Sequence, residues 1–117
     1  MSDIDPTVLE QLAADVTADD LRAVITACEA DLLRMTGNLL AAVQAGDAVT
    51  IHRTAHMMAG VASTVGAGLL EREVRALMMS EAAASTATVQ DATRIVAHAN
   101  AVIRAVRLFM TTRGYDA

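Results

Sequence analysis

The run TADDLRAVITACEADLLRMTGNLLAAVQAG, residues 17–46, decides the fold. In it Leu21, Val24, Ile25, Cys28, Leu32, Met35, Leu39 and Val43 recur at three- and four-residue steps, the apolar stripe of one long α-helix and not the alternation of a strand. Thr17 with Asp20 three residues on reads as a capping start, and Asp19 and Asp20 put negative charge at the positive end of the helix dipole. Gly46 is the stop. Gly37 inside the run should cost about 1 kcal/mol relative to alanine, and no sequence pattern accounts for it.

Working outward, Asp5-Pro6 reads as an N-cap followed by a first-turn proline, opening a short helix through about Ala14. Beyond Gly46, Asp47 caps a third helix with the apolar stripe Ile51, Ala55, Met58, Ala62 and Val65, ending at Gly66 or Gly68. A fourth carries Leu70, Val74, Leu77 and Met78. The small, polar residues Glu81 to Ala87 form the best loop, with Ser85, Thr86 or Thr88 able to cap the last helix. Its stripe is Val89, Ala92, Val96, Ala99, Val102 or Ile103, Val106 and Met110, and it stops before Gly114. Four substantial amphipathic helices on short connections pack most simply as an antiparallel up-down bundle. The expected class is all-α, a four-helix bundle with a short additional N-terminal helix lying across one end, as a single domain over residues 1–117.

Composition agrees. The chain has 117 residues, 54% of them hydrophobic, but its aromatic residues are Phe109 and Tyr115 alone. Alanine, leucine, valine and methionine carry the apolar mass, which favours helices over sheets. Met35, Met58 and Met78 are expected to fill gaps between helices, and Cys28 to be a small buried hydrophobe. The mean hydropathy of +0.38 raises the question of a membrane. No window approaches the roughly 20 uninterrupted apolar residues that a span requires, so no membrane association is expected. Met1-Ser2-Asp3-Ile4-Asp5-Pro6 is acidic where a secretory leader is basic and then apolar. With one cysteine there is no internal disulfide, and a cytoplasmic location fits best. Fourteen acidic residues stand against nine basic ones, for a net charge of −5, and all nine are arginine. Such a chain lacks the basic stripe that nucleic acid requires, and the absence of lysine excludes amine nucleophiles.

Two of the three histidines lie in the third helix, in Ile51-His52-Arg53-Thr54-Ala55-His56-Met57-Met58-Ala59-Gly60. At about 100° per residue His56 falls roughly 140° from the core stripe, towards solvent. His52 one turn earlier, Ala59 and Gly60 one turn later, and Ser63 two turns later are expected on the same outer face. A mid-helix glycine is unfavourable, and one beside an exposed imidazole makes sense where a phosphoryl group or a partner's loop must fit. Ser63 is either a small solvent-facing residue or a hydrogen-bond donor to such a group. His52 and His56 also stand four apart, the spacing of a two-histidine metal pair, but no carboxylate or cysteine converges on them and no metal is expected. His98 reads as a helix-surface or partly buried residue.

The run Ala55-His56-Met57-Met58-Ala59-Gly60-Val61-Ala62-Ser63-Thr64-Val65-Gly66-Ala67 resembles the signature of histidine-containing phosphotransfer domains: a histidine, Lys-Gly three and four residues later, then small residues closing in Gly-Ala. The likeness extends to the Gly46-Asp47 turn, the flanking helices and the chain length. It implies a phosphocarrier of a two-component phosphorelay, with His56 taking a phosphoryl group from the aspartate of one receiver domain and passing it to another. An imidazole nitrogen, Nε2, attacks the aspartyl phosphate in line while the other ring nitrogen is held by a hydrogen bond that fixes the tautomer. Magnesium comes from the receiver, so the chain needs no cofactor of its own and no kinase activity is expected of it. The partners implied are response-regulator receiver domains and a hybrid or simple sensor histidine kinase, with the chain itself a monomer. Docking would use apolar residues around the histidine, Val49, Met57 and Thr64, with exposed parts of the second helix. The chain departs from the family at Ala59, where lysine is usual. Arg53 on a neighbouring turn, and Arg72 and Arg75 on the next helix, are the candidates to replace that charge. The alternative reading is a degenerate domain of the same shape that docks on a receiver or kinase without carrying phosphate.

Overall fold

A computed structural model describes residues 3–115, apart from the side chain of Glu81; Met1, Ser2, Asp116 and Ala117, which the expected domain includes, lie outside the described residues. Six helices follow in order: α1 Pro6–Asp15, α2 Ala18–Ala45, α3 Ala48–Thr64, α4 Gly68–Ala76, α5 Glu81–Ser85 and α6 Val89–Thr112. There is no strand among the described residues.

Local chemistry sets the boundaries. Asp5, Thr17, Asp47, Ser80 and Thr88 each accept a hydrogen bond from a backbone N–H of the helix they precede, satisfying a donor that the first turn leaves open. At α6 the box is complete: Asp91 N–H donates to the Thr88 hydroxyl at 3.1 Å, and Thr88 N–H donates to the Asp91 carboxylate at 2.9 Å. Of the three candidate caps for this helix, Thr88 is the one used. Gly46 ends α2 in the left-handed conformation with φ 68°.

α2 packs on α3, α3 on α4, α4 on α6 and α6 back on α2, closing the expected four-helix bundle. The core runs through Leu21, Leu32, Leu39, Ile51, Met58, Leu70, Val74, Ile95 and Val102, all at most 2% exposed. α1 closes one end. Asp5 N–H donates to the Gly66 carbonyl at 2.8 Å, and Arg113 near the end of α6 pairs with Glu10.

The fourth helix departs from expectation. α4 stops at Ala76, so Leu77 and Met78 follow it instead of continuing its stripe, and the stretch read as a loop holds the single turn of α5, packed on α3. Five residues of glutamate, alanine and serine have no periodicity to betray a helix; burial of Ala84, 1% exposed, is what holds this turn in place. Cys28 and Val24, read as core, are half-buried at the edge of the α2 stripe. Partial burial, with Asp31 and Glu29 nearby, pushes the Cys28 thiol pKa up.

Candidate functional site on the third helix

The chemistry-bearing side chains sit on α3. Its N-terminus is held by Asp47, whose carboxylate accepts from Thr50 N–H at 3.1 Å and from the Thr50 hydroxyl at 2.6 Å. The Thr50 hydroxyl and then its N–H lower the Asp47 pKa most, and the charge of Arg53 adds to the effect.

Three and a half turns of α3 then divide cleanly. Ile51, Thr54, Ala55, Met58, Ala59 and Ala62 are buried. His52, Arg53, His56, Met57, Gly60, Ser63 and Thr64 are exposed, with Val49 ahead of them 67% exposed. His56 therefore stands in mid-helix on the outer face, with His52 one turn before it and Gly60 one turn after. A Cβ built on Gly60 meets nothing within 4 Å, so neither packing nor backbone conformation asks for glycine there. The same holds for Gly37 on α2. The Thr64 hydroxyl donates back to the Gly60 carbonyl at 3.0 Å. Neither His56 nor His52 has a hydrogen-bond or ion-pair partner among the described residues, so the bond expected to fix the tautomer of His56 is not made within them.

One placement overturns the helical-wheel reading. Ala59, expected beside His56 on the outer face, is 1% exposed and belongs to the core. The buried sector of α3 is wider than a single stripe because the helix is packed against α2 on one side and against α4 and α5 on the other. On the α2 side, Arg53 and Met57 line a groove with Asn38, Ala41 and Asp47; on the α5 side, Val49 and His52 line another with Ala84 and Ser85.

The arginines expected to replace the family lysine have these neighbours. A helical side chain covers the turn N-terminal to its own Cα. The charge of Arg53 is one of the causes that lower the Asp47 pKa at the start of α3. Arg75 is paired with Glu71, its Nε 2.8 Å from Oε2. Arg72 lines a shallow groove with Ser63, Gly66 and Asp5, two turns beyond His56.

His98 was not legible as a connector. It is half-buried on α6, with Nδ1 3.2 Å from Glu73 Oε1 on α4 and Nε2 3.7 Å from Asp3 Oδ1. Only the folded chain brings those three together. His52 and His56 have no third histidine, cysteine or carboxylate grouped with them among the described residues. No described helix is long and apolar enough to cross a membrane.

No family model matches the sequence, and no curated protein does. A solved structure does: the crystal structure of histidine-containing phosphotransfer protein B (HptB) from Pseudomonas aeruginosa PAO1 is similar to this chain with a TM-score of 0.75 and 28% sequence identity, over 98% of this chain and 97% of that one. The likeness runs the full length of both and agrees with the resemblance carried by the α3 motif. By its fold and its signature, this chain is similar to the histidine-containing phosphotransfer proteins.

Proposed function

We propose that the chain is a phosphocarrier of a two-component phosphorelay and that His56 is the residue phosphorylated. The observation that carries this reading is an imidazole in mid-helix, exposed and without a competing partner among the described residues, beside the open space at Gly60. The Nε2 lone pair forms the N–P bond as the P–O bond to the receiver's aspartate breaks, and the carboxylate leaves with the electron pair. Passing the group on reverses the step at a second receiver, whose magnesium offsets the charge on the phosphoryl oxygens.

Gly60 leaves room for the group, Ser63 and His52 border it, and Val49, Met57 and Thr64 with the exposed flank of α2 provide the docking surface. Exposed apolar side chains of this kind, Val49 at 67% and Met57 at 40%, suit the core of a transient interface. Incubation with a phosphorylated receiver domain should place an acid-labile, base-stable phosphate on the chain, and His56→Ala should abolish it. Label that survives in His56→Ala reassigns the site, with His52 next in line.

The buried Ala59 favours a second reading, an interaction module of the same fold that docks without carrying phosphate. No label on His56 from any of a panel of phosphorylated receivers establishes that reading instead.

A further inference from the structure

His98 stands where three segments meet. Its side chain, 14% exposed, comes from α6; its Nδ1 is 3.2 Å from Glu73 Oε1 on α4, and its Nε2 is 3.7 Å from Asp3 Oδ1 on the segment ahead of α1. The other Glu73 oxygen, Oε2, is buried with no hydrogen-bond partner among the described residues, so the imidazole is the group that meets this carboxylate. Neighbouring charges are engaged elsewhere. Arg75 is bound by Glu71, Arg94 one turn before His98 by Asp91 at 3.2 Å, and the Asp5 carboxylate accepts from Thr7 N–H. Arg72, beside Glu73 in α4, lines the groove at Ser63. Residues 35–45 of α2, which the Arg107–Glu29 and Arg22–Tyr115 contacts set opposite this part of α6, carry no ionisable side chain. The groups paired with the ring are thus two carboxylates.

Two acceptors on opposite sides of one ring call for two N–H donors, and only the imidazolium has both. The neutral ring keeps one proton, which the shorter contact places on Nδ1, towards Glu73. Nε2 then turns a lone pair on the Asp3 carboxylate, and attraction gives way to repulsion. The link between α4 and α6 survives that change; the hold on Asp3 does not. What Asp3 secures is the N-terminal segment. Ile4 is 6% exposed, Asp5 N–H donates to the Gly66 carbonyl at 2.8 Å, and Ile4, Asp5 and Pro6 line one groove together with Ser63, Gly66 and Arg72.

We propose that His98 is a proton-operated pin: charged, it fastens the N-terminal segment to the bundle through Asp3, and neutral, it loosens that segment where it covers the α3–α4 turn. Burial of Ile4 keeps the segment on the bundle in both states, so the change is one of hold and not of detachment. Asp3 is 46% exposed, which screens the attraction and makes the change a modest one. Histidine ordinarily exchanges its proton between about pH 5 and 8, within the range in which proteins work. The pin operates whether or not His56 carries phosphate.

Backbone hydrogen exchange on the full chain tests this, read as protection factors corrected for the intrinsic pH dependence of exchange. Between about pH 5.5 and 8 the Asp5 amide should lose roughly threefold or more of its protection, measured relative to the Leu39 amide in the core of α2. The ring resonances of His98, followed by NMR, should titrate with the same midpoint. Asp3→Asn leaves the bond to Glu73 in place and should give a low, pH-independent protection at Asp5, and His98→Gln should do the same.

Asp5 protection that stays flat across this range in the wild-type chain overturns the proposal, as does a midpoint that does not coincide with that of the ring. A pH dependence that persists in Asp3→Asn overturns it too, because another group would then be holding the segment.

Discussion

Asp5 and Gly66 are locked to one another through their backbones: Asp5 N–H donates to the Gly66 carbonyl at 2.8 Å, and the Asp5 carbonyl oxygen lies 2.8 Å from where a Gly66 Cβ would be. Gly66 also has φ 75°, and Val8 closes the same space at 2.9 Å. The glycine of the Gly66-Ala67 pair is thus required by the seat of the N-terminal segment on the α3–α4 turn. Gly66→Ala should destabilise the fold by about 2–4 kcal/mol, combining left-handed strain with overpacking. Urea unfolding measures this, and a change under 1 kcal/mol would mean that the contact is not made.

Thr88→Ala removes one half of the α6 capping box. The expected loss is about 1 kcal/mol, read as a lower urea midpoint at unchanged slope. Thr88→Ser keeps the hydroxyl and should retain most of the stability.

Acid should unfold the chain partly through its helix caps. Hydrogen bonds from Thr50 and from Thr88 hold the Asp47 and Asp91 pKa values below the ordinary aspartate value of 3.8. A carboxyl whose folded pKa is depressed contributes stability that is fully present above its unfolded value and is lost as pH falls through the folded one. Stability should therefore decline below about pH 4 with a slope to which both residues add. Asp47→Asn and Asp91→Asn should each flatten that slope; an unaltered acid limb in both variants would show that other carboxylates set it.

Restoring the family lysine should fail at its usual position. Ala59→Lys forces a long cationic side chain into a packed site and should cost about 1–3 kcal/mol. It should not accelerate labelling of His56 by a small phosphoryl donor such as phosphoramidate. Acceleration of that labelling would show that a lysine at position 59 can turn its side chain outward.

The long helices were legible because three independent signals coincided in each. In α2 the stripe from Leu21 to Val43, the Thr17 cap and the Gly46 stop all mark the same boundaries. Ala59 was misplaced because alanine carries no polarity signal and its wheel angle lies close to that of His52, so only the packing of neighbouring helices on α3 decides which of the two is covered. α5 was missed because a single turn is made by tertiary burial and not by its own propensity. The pairing of His98 with Glu73 and Asp3 joins residues distant in the chain, and no local pattern announces it. The site itself was read from one imidazole and one glycine, whose exposure required only that the core stripe be placed correctly.

The near absence of acids around His56 also gives the molecule a direction. Residues 32–64 hold Arg34, Arg53 and a single acid, Asp47, a net charge of +1, so the overall −5 is −6 on the remainder of the chain. The charge is thus uneven along the chain, least negative from the second half of α2 through α3. A partner with an anionic surface, such as the receiver domain proposed above, would be repelled less by this part of the molecule than by the rest. Steering of that kind acts before any contact forms, raises the fraction of collisions that arrive histidine first, and weakens as ionic strength rises.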